Sequence, residues 1–275
     1  MSMDLKIEIK NIPATMIIAQ DNIIVKGLVN FLKEVTYLSK FTFRFFSEAV
    51  RPPYEFKEFA KQSYLIGYKS FPLVAITGFI IGLVMTIQTR PTLAEFGAES
   101  WLPAMVSVSI IREIGPILTA LIFAGKVGSG IGAEIASMKV TEQIDAMEVS
   151  GMNPFKYIVV TRVVSTMLML PLLVFVADAI SMYGSFVGAN LKGAVSFQLF
   201  FAQVFNTVTF SDVFPAVIKT FFFGFAVGLI GCYKGYTSNR GTESVGAAAN
   251  SSVVISSLLI FLIDMVAVQL TSIFF

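Results

Sequence analysis

SFPLVAITGFIIGLVMTIQT, Ser70 to Thr89, contains no charged residue and is bracketed by Lys69 and Arg90. About twenty apolar residues at roughly 1.5 Å rise per residue cross the hydrocarbon core of a bilayer. This stretch therefore reads as a membrane-spanning helix held between two cations. The composition agrees. Of 275 residues, 55% are hydrophobic, 27 are Phe, and mean hydropathy is +0.77. Charged residues are 14% of the chain, against about 25% in soluble domains. There is no histidine and one cysteine, Cys232. An intrachain disulfide, histidine catalysis and most zinc sites are thereby excluded. Asp4, Glu8 and Asp21 interrupt the early apolar pattern, so no cleavable signal peptide is expected and the N-terminus is read as cytosolic. The net charge of +2 gives no sign of a nucleic-acid partner.

Outward from this span, four more apolar stretches follow. They are Ser100 to Gly125, broken by Arg112-Glu113; Val163 to Leu191, with Asp178; Val213 to Tyr233, with Lys219; and Ser244 to Phe275, with Asp264. The expected fold is an all-α integral membrane protein with five transmembrane helices, near residues 66–90, 100–125, 160–191, 212–234 and 246–273. Gly193 to Phe210 is also uncharged. There Phe197, Phe200, Phe201, Val204, Phe205 and Val208 share one helical face, away from Gln198, Gln203, Asn206 and Thr207. One-sided apolarity favours an amphipathic helix lying at the interface, about 194–210, over a sixth span.

Lysine and arginine set the orientation. Ten of the twenty precede residue 70, and Pro91 to Glu99 has none. Lys126, Lys139, Lys156 and Arg162 follow the second span, only Lys192 lies between 190 and 212, and Lys234 and Arg240 lie before the last span. The alternation places the N-terminus, the 126–155 region and the last loop in the cytosol, and the C-terminus outside. Residues 1–55 are read as an extension bearing an interfacial helix. Lys26, Lys33 and Lys40 recur opposite Leu28, Phe31, Leu32, Val35 and Leu38. That suits an anionic leaflet or, alternatively, packing on a partner. Pro52-Pro53 should end this helix. Before it, Leu5 to Lys10 alternates like a strand.

The polar interruption Gly125 to Pro154, GKVGSGIGAEIASMKVTEQIDAMEVSGMNP, lies between two spans. It reads as a short helical element held at the membrane face to meet a soluble partner. Glu142, Asp145 and Glu148 form an acidic stripe, and Val140, Ile144 and Met147 an apolar one. The pattern is a solvated face or, more sharply, a helix for docking in a groove. Lys126 precedes Val127 rather than Ser or Thr, and Gly128, Gly130 and Gly132 form GxGxG after a membrane helix, so neither a P-loop nor a dinucleotide fingerprint is met. Bending and close packing explain these glycines.

Charges at membrane depth are functional suspects. Arg112 and Glu113, about 100° apart on a helix, should find separate partners in a polar cavity or inter-helix network, and Pro116 should break or bend the helix. Asp178, Lys219 and Asp264 could form a proton relay in an ion- or proton-coupled secondary transporter, although pairing of Lys219 with an aspartate is the simpler reading. An intramembrane enzyme would lack histidine and a paired-carboxylate motif.

Ile110 to Val163 strongly resembles the MlaE/YrbE permease family. The shared motifs are RE-x-GP at Arg112 to Pro116, FAG-[KR]-x-GS at Phe123 to Ser129, AE-I at Ala133 to Ile135, TEQ at Thr141 to Gln143, and M-E-V-x-G-x-[ND]-P at Met147 to Pro154. A looser likeness runs from about residue 56 to the C-terminus, so 56–275 is assigned as the permease domain. The resemblance implies a non-catalytic, homodimeric subunit of an ABC transporter in the cell inner membrane, with a periplasmic C-terminus. Its implied partners are a second copy, a cytosolic ABC ATPase that holds the ATP, an Mce-domain protein and a STAS-domain protein. The cargo would be phospholipid or a related lipid, and this chain would bind no cofactor or metal. The 126–155 region becomes the coupling helix, with Glu134, Met138, Lys139, Glu142, Gln143, Asp145, Met147 and Glu148 as ATPase-coupling candidates. Arg112, Glu113, Gln88, Leu83 and Ile87 are the substrate-pocket candidates, within a pocket lined by the first and last spans.

Overall fold

The computed structural model describes residues 23–191, 193, 195–239 and 241–274. Helix α1, Ile23–Val50, stops just before Pro52-Pro53. Its Leu28, Leu32 and Val35 are exposed, and Thr36, Ser39 and Thr42 donate hydroxyls to carbonyls four residues back. The Leu5 to Lys10 alternation and the side chains of Lys26 and Phe31 lie outside the described residues. Residues 48–275 form one unit, considered by itself below.

Within that unit the helices are α2, Phe56–Glu95; α3, Glu99–Val140; α4, Gln143–Val149; α5, Phe155–Asn190; α6, Phe197–Thr207; α7, Phe210–Tyr236; and α8, Thr242–Phe274. No strand occurs among the described residues. Five helices, α2, α3, α5, α7 and α8, are long and apolar enough to cross a membrane, as expected. Helix α6 has 11 residues, about 16 Å of rise, which is too short to cross. It closes over a cluster of Leu93, Leu102, Val106, Ile110 and Met182, burying Phe200 and Val204 and leaving Phe205 outward.

Helices α2 and α5 lie side by side through small residues and hydroxyls. A Cβ on Gly82 would overlap the Ser181 carbonyl oxygen, so the two backbones touch. Side chains within lipid gain little from hydrophobicity, and close van der Waals approach and hydroxyl bonds take its place. Ser63 bonds Ser165 at 3.0 Å, Thr86 and Ser185 meet at 2.6 Å, and Ser181 donates to the Gly78 carbonyl at 2.8 Å. Helix α2 also outlasts the expected loop at Pro91 to Glu99. It runs through Pro91 to Glu95, with Arg90 donating to the Ala189 carbonyl at 2.7 Å. Proline is tolerated in membrane helices.

Two expectations about α3 are corrected. Pro116 does not break it, and of the expected break or bend only a local change of winding marks its place. A π turn, Ile110–Ile114, precedes Pro116, and the helix continues through Gly115–Phe123. Proline removes one backbone bond and crowds the carbonyl four residues back, here that of Arg112. Widening the ladder there absorbs the conflict. Nor does the span end at Gly125. A second π turn, Ala124–Gly128, leads into Ser129–Val140, which packs between α7 and α8. A Cβ on Gly132 would lie 2.5 Å from Ser252 Oγ and 3.1 Å from the Ala248 oxygen. The first half of the polar interruption is therefore interior bundle, and only Gln143–Val149 is a separate short helix.

Candidate functional site

The π turn presents Arg112 and Glu113 at one cavity of about 540 Å³, walled by α7 and α8. Each finds its own partner. Arg112 Nε meets Asp212 Oδ1 at 3.1 Å, and Glu113 Oε2 meets Lys219 Nζ at 2.7 Å. Lys219 also donates to Asp264 Oδ1 at 2.8 Å. The lysine side chain is 5% exposed, whereas Arg112 and Glu113 are 49% and 43% exposed. The inner ammonium is held by two carboxylates, while the cavity surface offers one cation and one anion. Phe214, Phe222, Leu262, Val266 and Leu270 supply the apolar wall.

Asp212 escaped the sequence reading. Its Oδ2 accepts from the Thr209 backbone N–H and hydroxyl, both at 2.8 Å, so it caps α7 while Oδ1 faces Arg112. Thr209-x-x-Asp212 is a capping-box pattern and was legible as such. Of the three other charges at depth, Lys219 and Asp264 meet. Asp178 joins neither: its Oδ1 is buried without a hydrogen-bond partner, against Gly115 and beside a separate cavity of about 100 Å³. Gln88, Leu83 and Ile87 do not line the 540 Å³ cavity. Gln88 and Ile87 are exposed on α2, and Leu83 is half-buried with its carbonyl near Gly188. The last span contributes to this cavity; the first does not, and α7 stands in its place.

The coupling candidates fall into two groups. Glu134, Met138 and Lys139 belong to α3. Glu134, 55% exposed, pairs at 2.8 Å with Arg162, which is 4% exposed and also donates to the Ile158 carbonyl. Lys139 donates to the Tyr236 carbonyl at 2.8 Å, tying the end of α3 to the end of α7, and Met138 is half-buried. The chain then turns at Glu142, whose φ of 56° is left-handed, so the acidic and apolar stripes do not run on one continuous helix. Gln143 opens α4, where Ile144 is buried, Met147 is half-buried, and Asp145 and Glu148 share an exposed side. Beyond α4, Asn153 donates to Glu48 at 3.1 Å and Lys156 donates to the Arg51 carbonyl.

Five helices long and apolar enough to cross a membrane, with an apolar cavity edged by ion pairs between α3, α7 and α8, define a multi-pass membrane protein. The family description Permease MlaE matches residues 59–270. The chain belongs to the MlaE permease family. It is 35% identical over 249 residues to a probable ABC transporter permease protein of Rickettsia typhi, covering 90% of this chain and 96% of that one. A probable ABC transporter permease protein of Rickettsia conorii is 37% identical, with the same coverage. The intermembrane phospholipid transport system permease protein MlaE of Haemophilus influenzae is 32% identical over 255 residues, covering 91% of this chain and 95% of its own length.

Proposed function

We propose that this permease is the membrane subunit of an ABC transporter that moves phospholipid or a related lipid between the inner membrane and an Mce-domain protein. The observation that carries the reading is the 540 Å³ cavity, apolar along α7 and α8 and edged by a half-exposed guanidinium and a half-exposed carboxylate. Acyl chains fit the apolar wall, and a headgroup bearing both signs of charge fits Arg112 and Glu113. The phospholipid transport for which the Haemophilus relative is named supports the same cargo.

ATP is bound and hydrolysed on a separate cytosolic ATPase, which docks at α4, and this chain contributes no cofactor site. Asp145 and Glu148 offer an exposed acidic side, and the α3 end behind them is fastened to α5 through Glu134–Arg162 and to α7 through Lys139. Force applied at α4 therefore reaches the helix that carries Arg112 and Glu113. Two copies assemble around the lipid path, with the N-terminus cytosolic, the C-terminus periplasmic, and a STAS-domain protein on the ATPase side.

The test is purification of the tagged protein in mild detergent, alone and with Glu142, Asp145 and Glu148 all changed to Lys. Co-purification of an ATPase and an Mce-domain protein, with only the ATPase lost in the variant, is the expected result. Failure of the unmutated protein to retain any ATPase, together with gradient-driven transport in vesicles, would overturn the reading.

A further inference from the structure

A second groove lies between α2 and α5 and shares no residue with the Arg112 cavity. Lys57, Lys61, Tyr64, Tyr68 and Phe71 are all exposed on α2. Their spacing of i, i+4, i+7, i+11 and i+14 puts them on one helical face. Down that face the chemistry changes from ammonium to phenol to phenyl, ending beside the uncharged Ser70 to Thr89 stretch. Tyr64 and Tyr68 stack with centroids 5.1 Å apart and planes 8° apart. Their rings form one wall of a groove of about 370 Å³, whose other wall is Met169, Leu172 and Val176 of α5. Gly67 makes the floor, where a Cβ would stand 3.0 Å from Met169 Sδ.

We propose that this α2–α5 groove binds an anionic phospholipid of the leaflet facing the lysine-rich end of α2, independently of the Arg112 cavity. The polarity gradient matches one molecule of that class: phosphate at Lys57 and Lys61, the ester region at the two tyrosine hydroxyls, and an acyl chain over Phe71, Leu172 and Val176. Lys61 stands 3.5 Å from Glu58, but that carboxylate is already engaged by Gln62 at 2.8 Å and Tyr157 at 3.0 Å. The Lys61 ammonium has three N–H donors, so it can still serve a phosphate. A helix from another protein is a poor occupant, because helix contacts in membranes favour small residues and this rim carries two lysines and two tyrosines.

The chain has a single tryptophan, Trp101, which makes a clean optical test possible. In a Trp101→Phe background, Tyr68→Trp places a reporter in the groove, with Leu172→Trp as the alternative reporter on the facing wall. Each is reconstituted in phosphatidylcholine vesicles, with a fraction replaced by brominated phosphatidylglycerol or, in parallel, by brominated phosphatidylcholine. Phosphatidylglycerol should quench at the lower mole fraction. Lys57→Ala and Lys61→Ala should each reduce that preference about fivefold, the worth of one lysine near an anionic surface, and Lys→Arg at both positions should keep it. Equal quenching by the two lipids would mean ordinary annular contact and overturn the proposal. So would a preference that survives both alanine changes, or no quenching at all, which would mean that protein covers the groove. The readout needs no ATPase and no transport, so it stands or falls separately from the transport reading.

Discussion

The α2–α5 seam and the α3–α7–α8 cavity solve the same problem in opposite ways. At the seam around Gly82, backbones come into contact and hydroxyls such as Thr86 and Ser185 satisfy each other at 2.6 Å, so the helices close together there, away from the groove at Gly67. At the cavity, bulky Phe214, Phe222 and Leu262 line about 540 Å³ of open space, and the helices are joined by ion pairs at 2.7 to 3.1 Å. Between Gly78 and Thr86 the seam is joined by hydroxyls alone, and charged groups enter it only towards its ends, at Glu58 and Arg90. The cavity keeps its charges because Arg112 and Glu113 remain half-exposed. A rigid seam beside a charge-stitched cavity is what a helix bundle requires if one side is to deform while the other holds.

That contrast can be broken at its strongest points first. Lys219→Met leaves Glu113 and Asp264 without their shared cation, and should cost about 3 kcal/mol, the toll of stranding a buried charge. The expected readout is a large drop in thermal unfolding temperature in detergent, with Lys219→Met/Glu113→Gln/Asp264→Asn recovering much of it. An unchanged midpoint would mean that the cluster contributes nothing to the fold. Gly82→Ala should cost about 2 kcal/mol by forcing the touching backbones apart, whereas Ala at Gly130, where a Cβ meets open space, should be neutral or stabilising by size-exclusion thermostability. Equal effects at the two glycines would remove the distinction between seam and surface. Arg112→Gln removes a half-exposed pair and should cost about 1 kcal/mol or less, yet it should reduce co-purified phospholipid measured by mass spectrometry. Thr86→Val, at the seam, should cost only about 0.6 kcal/mol, the average for a hydrogen bond between membrane helices. A loss above that of Lys219→Met would invert the ranking.

The five spans were legible because hydropathy reports exposure to lipid, and α2, α5 and α8 have long stretches of it. The continuation of α3 through Gly125 to Val140 was not, because Gly128 and Gly132 lower its hydropathy while their use is close approach to α7 and α8. Pairing of Lys219 with an aspartate was readable from the scarcity of charge at depth, and the separate partners of Arg112 and Glu113 from helix geometry. The cavity wall was harder. Gln88, Leu83 and Ile87 lie off this one-chain cavity, since one chain of letters does not say which face of α2 meets α5. Asp212 could have been found from its capping box, and Pro215, Lys219 and Phe222 from their spacing along one side of α7. Arg162 was counted only as a charge for topology, since nothing local marks a cation whose partner, Glu134, lies 28 positions away.

The π turn at Ile110–Ile114 also has a meaning in terms of insertions and deletions. A π turn holds one residue more than the α-helical ladder needs while the helix on either side keeps its facing. Loss of a single codon within it would return the ladder to α-helical winding, bringing back the Pro116 conflict that the turn relieves but keeping Leu102 and Val106 toward α6 and Phe123 in the bundle. What would change is the angle at which the Arg-Glu dipeptide is offered to Asp212 and Lys219. The same one-codon loss at Leu118, inside the regular Gly115–Phe123 segment, would rotate everything beyond it by about 100°. This helix can therefore shed a residue without losing its fold at the place where its charged pair is presented, and a gene deletion there would separate carriage of the cargo from assembly of the bundle.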